Sequence, residues 1–218
     1  FDAVMNYPFN RACLGFFGGP ALDVETRPGG FALSRLDAPA FAREVSRLLN
    51  RYSWDVTQSQ LNLLSSHDES RFLTLVGGDV RRLQLATLFQ MTFPGAPSIY
   101  YGDEIGMEGG PDPDCRRAFP WDERRWNHEL RAAFRRYVAL RKAQPALRRG
   151  RYITLYARGT VYVFARHTDA EVVVVALNAG ERDDQITLPL KGLLSAPVPL
   201  VEAWAGTRYQ TGRGEILL

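Results

Sequence analysis

The chain has 218 residues, of which 45% are hydrophobic and 23% are charged, and its formal net charge is +3. This composition is typical of globular domains and excludes a disordered chain, a collagen and a coiled coil. The longest unbroken apolar run spans residues 172–177, far short of the ~20 residues that a membrane-spanning helix needs. The sequence therefore predicts a globular protein of one or two domains with no membrane partner.

The basic residues are dispersed along the chain. Of the 27 lysines and arginines, only Lys142 and Lys191 are lysines, so 25 are arginines. Many arginines occur as separate pairs with carboxylates between them, whereas a nucleic-acid groove favours a clustered basic stripe with exposed aromatics. We therefore predict no nucleic-acid partner, although the sequence pI is about 9.0.

The chain contains two cysteines, Cys13 and Cys115, and their spacing matches neither a CxxC pair nor a disulfide framework. Two free thiols favour a reducing compartment, and we predict a cytoplasmic location. No signal peptide is recognised, and the sequence begins at Phe1 without an initiator methionine. We therefore expect that residue 1 is not where translation starts, because of processing or truncation.

Residues 1–149 alternate strand-like and helix-like patterns. Asp37 and Asn127 each precede an amphipathic segment, and both are favourable helix N-caps. The predicted order begins with an apolar stretch at 1–7 that ends at Pro8, followed by a helix at 39–52, a strand at 60–64 and a helix at 79–91. A strand at 98–101 and a loop at 102–125 come next. The last helix begins after Asn127 and ends at Pro145. Three strand–helix units indicate an α/β architecture with a parallel sheet.

The pattern changes at residue 150, after which no helical period is found. Runs rich in β-formers alternate with turn residues at 152–156, 161–166, 171–178, 185–190, 200–204 and 215–218. These runs predict a small antiparallel all-β module. We therefore divide the chain into residues 1–149 and residues 150–218.

One local feature with chemical potential is the end of the predicted strand at 60–64. The apolar strand is followed by Ser65, Ser66, His67 and Asp68. Ligands in parallel α/β folds bind at the carboxyl ends of the strands, so His67 and Asp68 are candidate site residues. A histidine satisfied at the start of a loop, with an aspartate that caps a turn, is the alternative interpretation.

The loop after the third predicted strand is a second candidate. It follows Tyr101 and contains Asp112, Asp114, Arg116 and Trp121. Carboxylate and guanidinium groups hydrogen-bond vicinal hydroxyls, and aromatic faces cover the C–H faces of a pyranose, so this set of residues suits a sugar. A long surface loop with Asp-Pro turns and a few ion pairs is the alternative.

Four segments together resemble the α-amylase superfamily of glycoside hydrolases. Residues 1–9 (FDAVMNYPF) resemble its sixth barrel strand, and residues 64–71 (LSSHDESR) its fourth conserved region at the end of strand seven. Residues 95–107 (GAPSIYYGDEIGM) are similar to its strand-eight motif. Residues 112–116 (DPDCR), with Trp121-Asp122, resemble the neopullulanase, cyclomaltodextrinase and maltogenic amylase branch.

The resemblance implies a fold class of α/β plus all-β. Residues 1–149 would be the last three strand–helix units of a (β/α)8 TIM barrel, and residues 150–218 a small antiparallel β-sandwich. The nucleophilic Asp and the acid/base Glu of the family lie after strands four and five, hence upstream of Phe1. We therefore expect this chain alone to be inactive and to need the missing N-terminal half as its partner. A homo-oligomer is an open alternative, because three barrel units leave exposed sheet edges.

The resemblance also implies roles for the candidate residues. Asp68 would be the third carboxylate, which stabilises the transition state, and His67 would bind hydroxyls of the sugar being cleaved. Arg116 would contact the neighbouring sugar or align a carboxylate, with Asp112 or Asp114 beside it. The remaining expectations are substrate binding by Tyr101 and Trp121, support of the site by Glu104 and loop ordering by Arg71.

The implied function is that of a retaining α-glucan hydrolase. The substrates would be α-1,4 and, as an open alternative, α-1,6 glucosidic bonds in maltooligosaccharides, cyclodextrins or pullulan. Other open interpretations are a non-catalytic carbohydrate-binding module and an enzyme of the same superfamily that acts on α-glucosides, sucrose or trehalose. No cofactor and no metal site are predicted in this chain, because no loop has EF-hand spacing; calcium is expected, if at all, in the missing upstream region.

Overall fold

A computed structural model describes residues 3–190, 193, 199–211 and 215–218 of the chain. The first two residues of the apolar stretch predicted at 1–7 lie outside the described residues. Within the described ranges, helices and a small parallel sheet extend to Arg149, and antiparallel strands follow. No helix in these ranges combines the length and the apolarity that crossing a membrane requires.

Helices form most of the first 149 residues. The α-helices are α1 (Tyr7–Phe17), α2 (Ala38–Asn50), α3 (Trp54–Ser59), α4 (Phe72–Leu75), α5 (Val80–Thr92), α6 (His128–Ala143) and α7 (Pro145–Arg149). Short 3-10 turns occur at Gly19–Ala21, Pro28–Gly30, Asp103–Ile105, Asp114–Arg116 and Glu123–Arg125. The three predicted helices are therefore confirmed as α2, α5 and α6, with ends that differ by one or two residues.

The predicted N-caps are also confirmed. The Asp37 side chain accepts a hydrogen bond from the backbone N–H of Ala40 at 2.8 Å, and Asn127 accepts one from Leu130 at 2.9 Å. Each satisfies a backbone donor that the first turn of a helix leaves without a partner.

Helix α1 was not predicted, because Pro8 was interpreted as the end of a segment. Pro8 lies instead in the first helical turn, where a missing N–H costs nothing and the fixed φ angle suits the helix. Asn6 caps the helix by accepting from the N–H of Phe9 at 3.3 Å. Pro145 behaves similarly, because it ends α6 and also begins α7.

The parallel sheet consists of β1 (Leu61–Leu63) and β2 (Ala96–Ser98), with Met5 joined to Leu61 by a single parallel bridge. The strand predicted at 98–101 was wrong in position, because the pairing register begins at Ala96 and ends at Ser98. Gly95, with φ of +111°, allows this close approach. A Cβ atom there would lie 2.5 Å from Asn62 Nδ2.

The described residues after Arg149 form antiparallel sheets, as predicted. The strands are β3 (Arg151–Arg158), β4 (Val161–His167), β5 (Val172–Asn178), β6 (Thr187–Pro189), β7 (Leu200–Val201), β8 (Arg208–Tyr209) and β9 (Glu215–Leu217). They pair as β3-β4-β5, β6-β9 and β7-β8. The strand predicted at 200–204 was too long, because Glu202 accepts from the N–H of Trp204 and closes a turn there. Strand β8 was not predicted.

Strand β4 is buried on both faces, so it connects the two parts of the chain. Tyr162 and Phe164 pack into the core formed with α1, α2 and α5, while Val161 and Val163 pack against β6 and β9. Phe89 of α5 lies with its ring centroid 5.7 Å from that of Phe164. Helices and sheet therefore share one continuous aromatic core, which fixes the frame that carries the loops after β1 and β2.

Candidate active site

The centre of the candidate site is the Asp68 carboxylate, which follows β1. The hydroxyl of Tyr7 donates a 2.7 Å hydrogen bond to Asp68 Oδ2, and His67 Nε2 lies 3.2 Å from Asp68 Oδ1. The backbone N–H of Asp68 donates to Ser66 Oγ at 3.1 Å. Both carboxylate oxygens are therefore oriented by neighbours while about half of the side chain stays exposed to a ligand.

Tyr7 also contacts the candidate site, and it was not predicted from the sequence. It begins α1, and the preceding Asn6 donates a 2.9 Å hydrogen bond to Asn62 of β1, which fixes the two segments side by side. Burial raises the pKa of Tyr7, so its hydroxyl remains a proton donor toward Asp68 at neutral pH. The signal was present in the motif at residues 1–9, which was interpreted only as a strand.

Arg116 lies next to His67 and pairs with Asp112. Its Nε donates to the His67 carbonyl oxygen at 2.9 Å, and its guanidinium lies 2.8 Å from Asp112 Oδ1. Asp114 belongs to a different pair, since it accepts two 2.7 Å hydrogen bonds from Arg117. Of the two aspartates left open by the sequence, the structure places Asp112 beside Arg116.

Arg71 joins the loop after β1 to the loops after β2. Its side chain is fully buried and donates to the carbonyl oxygens of Cys115 at 3.1 Å and Tyr101 at 2.8 Å. It also pairs with Asp103 at 2.9 Å. Because Cys115 directly precedes Arg116, this contact supports the segment that presents Arg116 to His67.

Asp103, the partner of Arg71, is itself buried. Burial raises its pKa to about 7, against the lowering effect of a hydrogen bond from Ser65 and of the Arg71 charge. The neighbouring Glu104 accepts a 2.8 Å hydrogen bond from the N–H of Gly102 and so folds the start of the loop. Both carboxylates therefore make their contacts within the protein and hold the fold of the loop.

Tyr101 and Trp121 are placed differently from the central group. The Tyr101 hydroxyl donates to the carbonyl oxygen of Arg117 at 2.7 Å, and the Tyr101 ring lies 4.8 Å from the Arg71 guanidinium. Trp121 is 83% exposed and packs edge-on against Phe119, with ring centroids 4.8 Å apart. The structure therefore brings His67, Asp68, Asp112 and Arg116 into one network. Asp114, Tyr101 and Trp121 lie outside direct contact with Asp68.

An open cavity of about 570 Å³ lies beside Asp68. Tyr7 and Asp68 line it together with Arg11, Phe31 and Glu69. Among the residues that the structure describes, no group of three or more His, Cys, Asp or Glu side chains is arranged to hold a metal ion. The side chains around Asp68 offer hydrogen bonds and charge to a ligand in this cavity.

Two family models and several known proteins match this chain. Residues 1–149 match the family model for the alpha amylase catalytic domain, and residues 152–217 match the neopullulanase-like C-terminal domain. A cyclomaltodextrinase of Geobacillus thermopakistaniensis is 42% identical over 192 residues, which cover 87% of this chain and 30% of the relative. The chain thus spans about a third of the length of the curated relative.

Solved structures of similar proteins superpose over the whole chain. The protein Ttha1563 of Thermus thermophilus matches with a TM-score of 0.90 and 38% identity, covering all of this chain and 46% of that one. A debranching enzyme of Nostoc punctiforme matches with a TM-score of 0.86 and 38% identity, with the same coverage. These matches confirm the resemblance carried by the four sequence segments. The chain belongs to the alpha-amylase family of glycoside hydrolases, with a neopullulanase-like C-terminal domain after the catalytic-domain segment.

Proposed function

We propose that the chain is the C-terminal part of a retaining α-glucan hydrolase. The observation that carries this proposal is the Asp68 carboxylate, which is held by Tyr7 and His67 and flanked by Arg116. A carboxylate fixed in this way stabilises positive charge that develops at a sugar ring. Preorganised charges of this kind account for a large share of enzymatic rate enhancement.

The bond-breaking groups belong, in this proposal, to the part of the protein that precedes residue 1. Retaining hydrolysis needs a nucleophile and an acid/base group whose carboxyls lie about 5–5.5 Å apart across the scissile bond. Asp68 is the third carboxylate, which stabilises the oxocarbenium-like transition state, and His67 binds sugar hydroxyls. Arg116, held by Asp112, aligns the site from the opposite loop.

The proposed architecture is a barrel that this chain completes. Met5, β1 and β2 run in parallel and in chain order, as the last three strands of a (β/α)8 barrel do. Residues 1–149 then form barrel units six to eight, and residues 150–218 form the C-terminal β domain. The N-terminal half of the same protein is the proposed partner, and self-association is the alternative if that half is absent.

The proposed substrates are maltooligosaccharides, cyclodextrins and pullulan. A cyclomaltodextrinase and a debranching enzyme are among the similar proteins, and they support an α-glucan as the substrate class. Asp114, Tyr101 and Trp121 remain proposed substrate contacts on the outer part of the loop. A cytoplasmic location is proposed from the two buried free thiols of Cys13 and Cys115.

The test is hydrolysis by the full-length protein that contains this chain. Maltooligosaccharides, cyclodextrin, pullulan, sucrose and trehalose are supplied in parallel, and the anomer of the first product is followed by NMR. We expect cleavage of the α-glucans with retention of configuration and no comparable turnover of sucrose or trehalose. Preferential turnover of the disaccharides would contradict the substrate proposal, and binding of glucan without cleavage would favour a non-catalytic module.

A further inference from the structure

Beside Asp68, one wall of the open cavity is formed by Arg11, Gly29, Phe31 and Glu69, here called the Phe31 groove. Arg11 belongs to α1, and Glu69 directly follows Asp68. Gly29 lies in the Pro28–Gly30 turn, which Phe31 directly follows. Arg11 lies one helical turn after Tyr7, so the two side chains project from the same face of α1. The helix that positions the groove is therefore the same helix that positions the Tyr7 hydroxyl against Asp68.

Phe31 presents an aromatic face to the cavity. It is 55% exposed, and the guanidinium carbon of Arg11 lies 4.0 Å from its ring centroid. The guanidinium covers one face of the ring, and because more than half of the residue is exposed, we infer that the other face can receive a ligand. A large aromatic ring that is supported on one side and open on the other is well suited to stack against the C–H face of a pyranose.

Glu69 supplies a carboxylate to the cavity, and Arg11 is the nearby positive charge that acts on it. Its residue is only 7% exposed, it lines the cavity, and none of the described residues forms a hydrogen bond or a close ion pair with it. Burial raises its pKa, although the Arg11 charge acts in the opposite direction. The Glu69 oxygens are not among the fully buried side-chain atoms that lack a hydrogen-bond partner, so the carboxylate is open to the cavity and can accept a hydrogen bond from a ligand.

The backbone of the groove is built closely around this carboxylate. Gly29 has a φ of +57°, and a Cβ atom at this position would lie 2.7 Å from Glu69 Oε1. Any other residue would therefore be strained and would also press on the carboxylate. The turn at Pro28–Gly30 thus brings Phe31 to the cavity and requires glycine at position 29.

We propose that the Phe31 groove binds one glucosyl unit of the substrate next to the unit held by His67 and Asp68. The pyranose stacks on the open face of Phe31, and one of its hydroxyls donates to the Glu69 carboxylate. Arg11 acts as a positioning residue that holds the ring and balances the carboxylate charge. This inference rests on the proposed function, because it extends the same glucan site by one sugar.

The test compares substrates of increasing length in the full-length protein. We expect Phe31→Ala and Glu69→Gln to lower kcat/KM about tenfold for maltooligosaccharides that reach the groove, through KM. For the shortest cleaved substrate we expect kcat/KM to change less than about twofold in these variants. The Phe31→Tyr variant is expected to retain the wild-type dependence of kcat/KM on chain length. Trp204→Ala and Glu44→Gln, at positions away from the cavity, serve as matched controls.

Three outcomes would contradict the inference. Unchanged kinetics of an active protein on every chain length would mean that no sugar binds in the groove. An equal loss on all substrates, together with a lower Tm, would mean that Phe31 packs against the preceding part of the protein. A full-length wild-type protein that cleaves no glucan would contradict the proposed function and this inference with it.

Discussion

The hydroxyl of Tyr7 donates a 2.7 Å hydrogen bond to the Asp68 carboxylate, and it joins two residues that are 61 positions apart in the chain. One residue begins helix α1 and the other follows strand β1, so the bond depends on the parallel alignment of Met5 with Leu61. The orientation of Asp68 is therefore a property of the fold around it and not of the His67-Asp68 segment alone.

Replacing Tyr7 by Phe is expected to lower kcat about tenfold in the full-length protein, with a smaller change in KM. The variant keeps the aromatic ring and removes the donor, and a hydrogen bond to a charged group contributes ~1.5–3 kcal/mol. Steady-state kinetics on a maltooligosaccharide measures the effect, with Tyr209→Phe in β8 as the control. Wild-type kcat in the Phe variant would mean that His67 alone orients the carboxylate.

The two neighbouring arginines of the loop provide a matched pair. Arg116→Gln removes the donor to the His67 carbonyl oxygen and leaves Asp112 unpaired, so we expect kcat/KM to fall between about tenfold and a hundredfold. Arg117→Gln breaks only the pair with Asp114, which lies away from Asp68, and an effect of less than about threefold is expected. Equal losses in both variants would indicate that the whole loop, and not Arg116, is required.

Much of the helical frame could be predicted from the sequence. Helices α2 and α6 were found because Asp37 and Asn127 are local caps that need only a few following residues to act. Pro8 was misinterpreted because proline both ends segments and begins helices, and only the Asn6 cap distinguishes the two. The strand near Ser98 was displaced because its limits depend on pairing with β1, which local propensity does not specify.

Site residues that lie in the family motifs could be predicted from the sequence. Residues that join the site only through contacts in the folded chain could not. Recognisable motifs contain His67, Asp68 and Arg116, and the structure places these three residues together. Tyr7 and the choice of Asp112 over Asp114 depend on distances between side chains from separate loops. Such distances follow from the packing of α1, β1 and the loop after β2, which no single segment encodes.

Asp103 is expected to make stability depend on pH. Its pKa is about 7 in the folded protein and ordinarily ~3.9, so between about pH 4 and 7 the folded state binds a proton that the unfolded state does not. The free energy of unfolding contributed by this group therefore falls as pH rises through that window. Asp103→Asn is expected to reduce the difference in Tm between about pH 4.5 and 7.5 by about 3 °C or more.

The measurement is thermal unfolding of the full-length protein at both pH values, monitored by circular dichroism. Asp183→Asn, at an exposed position, is the control. A pH dependence in Asp103→Asn equal to that of the wild type would mean that Asp103 stays ionised beside Arg71 throughout this range.

The parallel sheet gives a prediction about association. Met5 and β2 are its outer members within the described residues, and apolar side chains nearby are exposed, among them Val4 and Ile99. Open sheet edges with apolar surface favour association. We expect the 218-residue chain, expressed alone, to self-associate or aggregate, and sedimentation velocity measures this. A monodisperse monomer at high concentration would contradict the proposal that an N-terminal half covers this surface.

Asp68 is the proposed stabiliser of the transition state of glucan hydrolysis. The most direct measurement is the rate of maltooligosaccharide cleavage by the full-length protein and by its Asp68→Asn variant, with Tm recorded for both. We predict a loss of at least ~10²–10³-fold in kcat with a nearly unchanged Tm, because the side chain is half exposed and contributes little to folding. A variant that retains kcat within a few fold of the wild type would mean that Asp68 does not stabilise the transition state.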